Sequence, residues 1–182
     1  VDDDSTDGTY DVLVAESRRD PRVRVIRRIG RRGLATAVVE GILSTTAPMV
    51  AVIDADMQHD ERVIPDMIAR MKQDNADLVV GSRYSNGGGV GAWDSKRQTI
   101  SRIATEISRL VVKADLTDPM SGFFLIRRQA FDTAVRNLSG QGYKILLDIV
   151  ASAKPTLKIA EVPYTFRNRQ HGDSKLDSSV TW

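Results

Sequence analysis

Cysteine is absent from the 182 residues, histidine occurs twice, and aromatic residues make up only 5%. Without thiols the chain can form no disulfide and use no cysteine nucleophile or thiolate metal site. That fits a cytosolic setting. No apolar run approaches the roughly 20 residues needed to cross a bilayer, and no secretory signal pattern is visible. Charge of either sign is in little excess: 26 Lys and Arg against 24 Asp and Glu leave a net charge of +2. That is too little to argue for nucleic acid as a partner. What remains is an ordinary globular balance, 41% hydrophobic and 27% charged, in a chain long enough for one domain with a sizeable core.

The basic residues are unevenly placed. Residues 18–32 hold eight arginines, Arg18, Arg19, Arg22, Arg24, Arg27, Arg28, Arg31 and Arg32. They read either as a solvated face or as a surface for an anionic partner such as a lipid headgroup. The opening Val1-Asp2-Asp3 reads as the end of a strand. The chain is therefore expected to be an N-terminally truncated fragment, a single domain whose first strand is missing.

Apolar runs alternate with helical periodicity. Residues 23–29 alternate apolar and basic side chains, as a strand exposed on one side does. Residues 34–45 place Ala35, Val38, Val39 and Ile42 at helical spacing. Residues 61–73 do the same with Val63, Met67, Ile68 and Met71. Short strands are predicted at 50–53, 78–81, 123–126 and 158–163, with further helices near 129–137 and 145–153. Such alternation predicts an α/β fold, a mostly parallel central sheet with helices on both faces. Asn86-Gly87-Gly88-Gly89 reads as a flexible loop, a candidate lid. Residues 97–112 form an amphipathic stripe, which suits a core-packing helix or one lying at a membrane surface.

Chemistry concentrates where strands end. Met49-Val50-Ala51-Val52-Ile53 runs directly into Asp54-Ala55-Asp56-Met57-Gln58-His59. The apolar run reads as a strand buried on both faces, and open α/β sheets bind ligands at the carboxyl ends of their strands. Asp54, Asp56 and the Gln58 amide offer hard oxygen ligands suited to Mg²⁺ or Mn²⁺, which would neutralise a phosphate; alternatively, Asp56 only caps the following helix. His59 reads as a hydrogen-bond partner. Asp2, Asp3, Asp4 and Asp7 crowd one turn. A calcium loop fails, because counting from Asp3 puts Val14 where the bidentate Glu belongs. Helix capping and nucleotide recognition both remain open. Arg83 follows a strand at the same rim. With Arg97, Arg167, Arg169, His171 and Lys175 it would supply phosphate clamps. Asp118-Pro119-Met120-Ser121-Gly122-Phe123-Phe124 reads as a turn before a strand or as the floor of a sugar site, with Asp118 near the reacting carbon.

Five segments then fall in order: 1–9 (Val-Asp-Asp-Asp-Ser-Thr-Asp-Gly-Thr), 54–59, 81–84 (Gly-Ser-Arg-Tyr), 118–123 and 166–176 (Phe-Arg-Asn-Arg-Gln-His-Gly-Asp-Ser-Lys-Leu). Together they resemble the polyprenyl-phosphate (dolichol-phosphate) mannosyltransferase branch of glycosyltransferase family 2. The resemblance covers nearly the whole chain, and the Gln58-His59 pair is its most branch-specific part. It implies a Rossmann-like nucleotide-diphosphosugar transferase (GT-A) fold. It also implies an inverting transfer of a hexose from a nucleotide-diphosphate sugar to a polyprenyl phosphate, aided by Mg²⁺ or Mn²⁺. By the resemblance, Asp2 and Asp3 contact the nucleoside, and Asp54, Asp56 and Gln58 surround the metal and diphosphate. Arg83, Arg97, Ser101 and Arg169 grip the acceptor phosphate, with Ser174 and Lys175 nearby. Asp56, Arg83 and Asp118 are the expected catalytic set. A lipid acceptor implies peripheral membrane contact at the cytoplasmic face. The chain departs from the family at Asp60, where Pro is common, and at Asp4, where Gly is frequent. Competing expectations are a glycan or other non-lipid acceptor and a non-catalytic nucleotide-sugar-binding module. A nucleotidyltransferase is disfavoured, because the segment 30–33 is a poor match to a Gly-rich triphosphate loop.

Overall fold

The computed structural model describes residues 1–89, 116–140 and 144–167. The chain divides into two compact units, one of Val1–Thr46 with Gly140–Ile145, the other of Ala47–Ser139 with Leu146–Trp182. No described helix is long and apolar enough to cross a membrane.

In the first unit, α1 spans Thr9–Arg19 and α2 spans Leu34–Leu43. Gly8, without a side chain, stands at the N-cap of α1, and Asp7 just before it accepts the Thr9 N–H, so the acid satisfies a free amide from outside the cap position. Residues 23–29 do not form the expected strand. One parallel bridge joins Asp2 to Arg27, with Asp2 N–H donating to Ile26 and Arg28 N–H donating to Asp2. Alternation failed as a guide because one of its basic positions faces inward: Arg28 is buried, 1% exposed. The arginine-rich stretch is not a uniform cationic face either. Arg19, Arg22, Arg27, Arg28 and Arg31 are each paired with a carboxylate of the same unit.

The second unit carries the sheet. Its strands are β1 (Met49–Val52), β2 (Leu78–Ser82), β3 (Phe124–Arg127) and β4 (Ile159–Pro163), in the order β1-β3-β2-β4. β3 runs antiparallel to both β1 and β2, while β2 and β4 are parallel. Three of the four strands thus share a direction, as expected for a mostly parallel α/β sheet. The inserted β3 leaves one parallel neighbour pair among the described strands. β2 is buried along its whole length, which is why it reads as an unbroken apolar run.

A 3₁₀ turn at Glu61–Val63 leads into α3 (Ile64–Gln73). Pro65 fits the first turn, where its missing N–H costs nothing. Asn75, at φ 48°, ends the helix in the left-handed conformation. Met67 and Met71 of α3 pack with Val79, Phe123, Leu125 and Ala160 in one buried cluster. Helix α4 (Arg128–Ala134), continued by a 3₁₀ turn at Val135–Asn137, and α5 (Ile145–Ser152) complete the described elements.

Candidate functional site

The register of the sheet brings four chain segments of the second unit to one rim. Val52 and Val80 both pair with Phe124, and Ser82 pairs with Pro163. The segments leaving β1, β2 and β4 therefore emerge beside the one entering β3. They carry Asp54 to His59, Arg83, Asp118 to Phe123, and Tyr164 to Arg167.

Asp54 is 38% exposed, and its Oδ2 lies 3.5 Å from His59 Nε2. Gly122 approaches it from the β3 segment: a Cβ there would lie 2.9 Å from Asp54 Cγ and nearer still to Oδ2. Only glycine leaves that carboxylate clear. Asp56 is half-buried and accepts the Gln58 N–H at 3.1 Å, closing a tight turn. Between them Met57 stands at φ 64°, 63% exposed. Among the described residues no three His, Cys, Asp or Glu side chains are grouped to hold a metal. The third protein ligand to a cation here would be the Gln58 amide oxygen. Two carboxylates and an amide on this loop, with Gly122 leaving Asp54 clear, would be hard oxygen donors of the kind that suit Mg²⁺ or Mn²⁺.

His59 is buried and donates to or accepts from Tyr164 Oη at 2.6 Å. Its ring packs among Phe123, Tyr164 and Phe166, at centroid distances of 5.2 to 5.6 Å. His59 is thus a hydrogen-bond partner, as expected, and it ties Asp54 to the aromatic floor. Burial pushes the Tyr164 phenol up, so it stays protonated, with the Arg83 charge opposing only in part.

Arg83 and Asp118 form one object. Arg83 Nε and Nη2 each donate to an Asp118 oxygen at 2.7 Å, and the Arg83 N–H donates to Oδ2 at 3.1 Å. The Asp118 side chain is 1% exposed and that of Arg83 10%. Burial alone would lower the Arg83 pKa, but the Asp118 hydrogen bonds and charge outweigh it and hold the guanidinium above its ordinary value. Arg83 also lies over the Phe166 ring at 5.4 Å. Asp118, the residue expected near the reacting carbon, has its carboxylate on Arg83 and so fixes the direction of that guanidinium.

Glu161 of β4 supports the pair, and sequence reasoning missed it. Its oxygens accept the Thr117 N–H and Oγ1–H at 2.7 Å and the Asp118 N–H at 3.3 Å. A lone acid inside Ile-Ala-Glu-Val was the available signal. Arg167, expected as a phosphate clamp, instead pairs with Asp60 at 2.5 Å and Glu61 at 3.3 Å. The Asn86–Gly89 segment is a folded turn up to Gly89, with Gly88 N–H on Ser85 O and Gly89 bridged to Thr165.

In the first unit, Asp2 Oδ2 accepts the Ser5 N–H at 3.0 Å. Hydrogen bonding from Ser5 holds its carboxyl below the usual range, against burial. Asp3 accepts from Arg28 Nη1 at 2.7 Å and from the Gly33 N–H at 2.9 Å. Arg28 also donates to Gly33 O and Thr36 Oγ1. Both acids brace the loop, Asp2 buried and Asp3 partly exposed. Asp4 adopts φ 61°, the conformation that makes Gly frequent there; it tolerates the strain and pairs with Arg27. The expected acceptor residues Arg97, Ser101, Arg169, Ser174 and Lys175, with His171 and the stripe 97–112, lie outside the described residues.

Residues 1–134 match the family Glycosyl transferase family 2. The chain belongs to that family. It is 39% identical over 178 residues to the dolichol-phosphate mannosyltransferase of Pyrococcus furiosus, a match covering 97% of this chain and 49% of that protein. It is 38% identical over 182 residues to the enzyme of the same name from Mycosarcoma maydis (99% and 61%). The Saccharomyces cerevisiae counterpart is 34% identical over 186 residues (99% and 68%). The chain thus spans about half the length of the archaeal relative and about two thirds of the yeast one. Among solved structures, glucosyl-3-phosphoglycerate synthase from Mycobacterium tuberculosis shares the fold, with a TM-score of 0.59 at 19% identity over 94% of this chain and 60% of that one. A complex of that synthase with Mn²⁺, UDP-glucose and glycerol 3-phosphate superposes at a TM-score of 0.58 and 18% identity (95% and 60%). These structural likenesses establish the GT-A-type α/β fold.

Proposed function

We propose that this chain is the catalytic part of an inverting glycosyltransferase that moves a hexose from a nucleotide-diphosphate sugar to a polyprenyl phosphate. The observation that carries the reading is the rim itself: the Asp54-Asp56-Gln58 loop leaves β1 and Arg83 leaves β2, the two strands that flank β3, and the segment entering β3 carries Asp118, the partner of Arg83. The curated relatives' names support a lipid-phosphate acceptor. The Mn²⁺ and UDP-glucose complex of a fold neighbour supports a divalent ion and a nucleotide-sugar donor.

Asp54, Asp56 and Gln58 would hold Mg²⁺ or Mn²⁺. When bound, the ion offsets the charge that grows on the departing diphosphate. Asp2 and Asp3 are the acids the family resemblance assigns to the nucleoside. Arg83 presents its guanidinium to the acceptor phosphate, held in direction by Asp118. A phosphate monoester is largely dianionic near neutral pH, its second pKa being about 6, so the nucleophile requires placement more than a strong base. An acceptor oxygen bonds to the anomeric carbon as the bond from that carbon to the diphosphate oxygen breaks. The nucleoside diphosphate leaves with the electron pair, and the configuration inverts. Arg97, Ser101, Arg169, Ser174 and Lys175 complete the acceptor site in this proposal, which acts at the cytoplasmic face of the membrane through peripheral contact.

The test is a transfer assay with the full-length protein, several nucleotide sugars, a short polyprenyl phosphate and, in parallel arms, glycerol 3-phosphate and a free glycan. Transfer to the polyprenyl phosphate alone is the expected result. Transfer only to a glycan, or donor binding with no turnover, would overturn the proposal.

A further inference from the structure

The acid loop is strapped to the segment that follows β4 by contacts which the family resemblance does not supply. Gln58 and Arg167, 109 residues apart, bond reciprocally: Gln58 Nε2 donates to Arg167 O at 3.1 Å and Arg167 N–H donates to Gln58 O at 2.8 Å. The Arg167 side chain reaches back to Asp60 at 2.5 Å and to Glu61 at 3.3 Å. Asp60 itself caps the 3₁₀ turn through the Arg62 N–H. The strap thus closes around Gln58 from both its main chain and its side chain, using an acid that stands where the family commonly has Pro.

We infer that Arg167 and Asp60 are positioning residues for the metal site, through a clasp that fixes which end of the Gln58 amide is presented as a ligand. The inference rests on the metal role proposed above. The chemistry is simple. Arg167 O accepts hydrogen bonds and cannot donate, so it selects the NH₂ end of the amide and turns the carbonyl end the other way. A metal takes only the carbonyl oxygen. A side chain rotating freely would present either end; the clasped one presents a single end, at no ordering cost when the ion arrives. The ion pairs at Asp60 and Glu61 are partly exposed and individually weak. Their part is to keep the Arg167 main chain in register with Gln58.

The experiment is a Mn²⁺ titration of the full-length protein followed by electron paramagnetic resonance, with no donor or acceptor present. Three variants are compared with the parent: Arg167→Ala, Gln58→Glu and Arg167→Lys. Gln58→Glu is the discriminating one. It supplies a ligand oxygen and adds a negative charge, so on a ligand-only reading it binds Mn²⁺ at least as tightly as the parent. It cannot donate to Arg167 O, so the clasp reading expects weaker binding, by about tenfold, the lower end of effects seen when an outer-shell partner of a ligand is lost. Arg167→Ala is expected to weaken binding comparably, and Arg167→Lys, which keeps one ion pair, to recover most of it. Thermal melts of each variant show that the folded state is retained. Mn²⁺ affinity equal to or tighter than the parent's in either Gln58→Glu or Arg167→Ala overturns the clasp and leaves the metal site standing. Absence of Mn²⁺ binding by the parent overturns the metal site and the clasp together.

Discussion

Removing the Asp118 carboxylate should be among the most damaging single changes in the second unit. Asp118→Ala leaves the Arg83 guanidinium, 10% exposed, without the acceptor for two side-chain donors and its own N–H. Removing one partner of a buried ion pair costs about 3–5 kcal/mol. For a chain of this size each kcal/mol moves the melting temperature by about 2–4 °C, so a fall of roughly 6–20 °C is expected by calorimetry or circular dichroism. The double change Arg83→Met with Asp118→Leu removes both charges together. It should melt above the single Asp118→Ala variant, since an apolar replacement of a buried pair is often neutral. Sugar transfer separates the two effects: with Arg83 in its proposed role, the double variant, though better folded, should remain inactive for want of a guanidinium. An Asp118→Ala protein melting within about 2 °C of the parent would refute the reasoning. A double variant no more stable than the single one would do the same.

Other consequences can be checked in the same protein. Gly122→Ala places a Cβ against the Asp54 carboxylate; because Asp54 is part-exposed it can swing away, so Mn²⁺ binding should fall while the melting temperature changes little. Glu161→Ala removes the acceptor for two N–H groups and a hydroxyl at Thr117 and Asp118. It should cost about 1–3 kcal/mol and raise the KM for the acceptor more than that for the donor, with partial recovery in Glu161→Gln. The Arg62 hydrogen bonds, with the Arg167 charge adding, hold the Asp60 carboxyl well below its usual range. The stability it contributes is therefore complete above the ordinary carboxylate pKa of about 3.9 and is lost only as pH falls through the lower folded value. Asp60→Asn should then cost the same at neutral and mildly acidic pH, as followed by denaturant melts, with the difference shrinking only in strong acid.

Much of this architecture is legible in the sequence because its signals are local. An apolar run ending in Asp-x-Asp announces a strand end at a sheet rim, and periodic methionines announce α3. The direction of β3 is not legible: Phe-Leu-Ile reads the same either way, and only pairing with β1 and β2 fixes it. Residues 23–29 show the opposite failure. Their alternation is real, but Arg28 is drawn inward by Asp3, Gly33 O and Thr36, and the segment makes one bridge in place of a ladder. At the site, the acids and Arg83 are recognisable by type and place. Their partnerships are not, because they join residues 35 to 109 positions apart: Arg83 with Asp118, Thr117 with Glu161, Gln58 with Arg167. Asp118 is the clearest case. A carboxylate in a turn beside glycine and aromatics suggests a group facing substrate; only the fold shows it facing an arginine.

The central claim is that the paired acids of the 54–58 loop carry the charge of an activated sugar's diphosphate through a divalent ion. The most direct test is hexose transfer to a short polyprenyl phosphate by the full-length protein and its Asp56→Asn variant, at matched Mn²⁺ with and without chelator. Transfer that depends on the ion and falls by about two orders of magnitude or more in the variant is the predicted result. Transfer that survives both the chelator and the substitution would contradict the account.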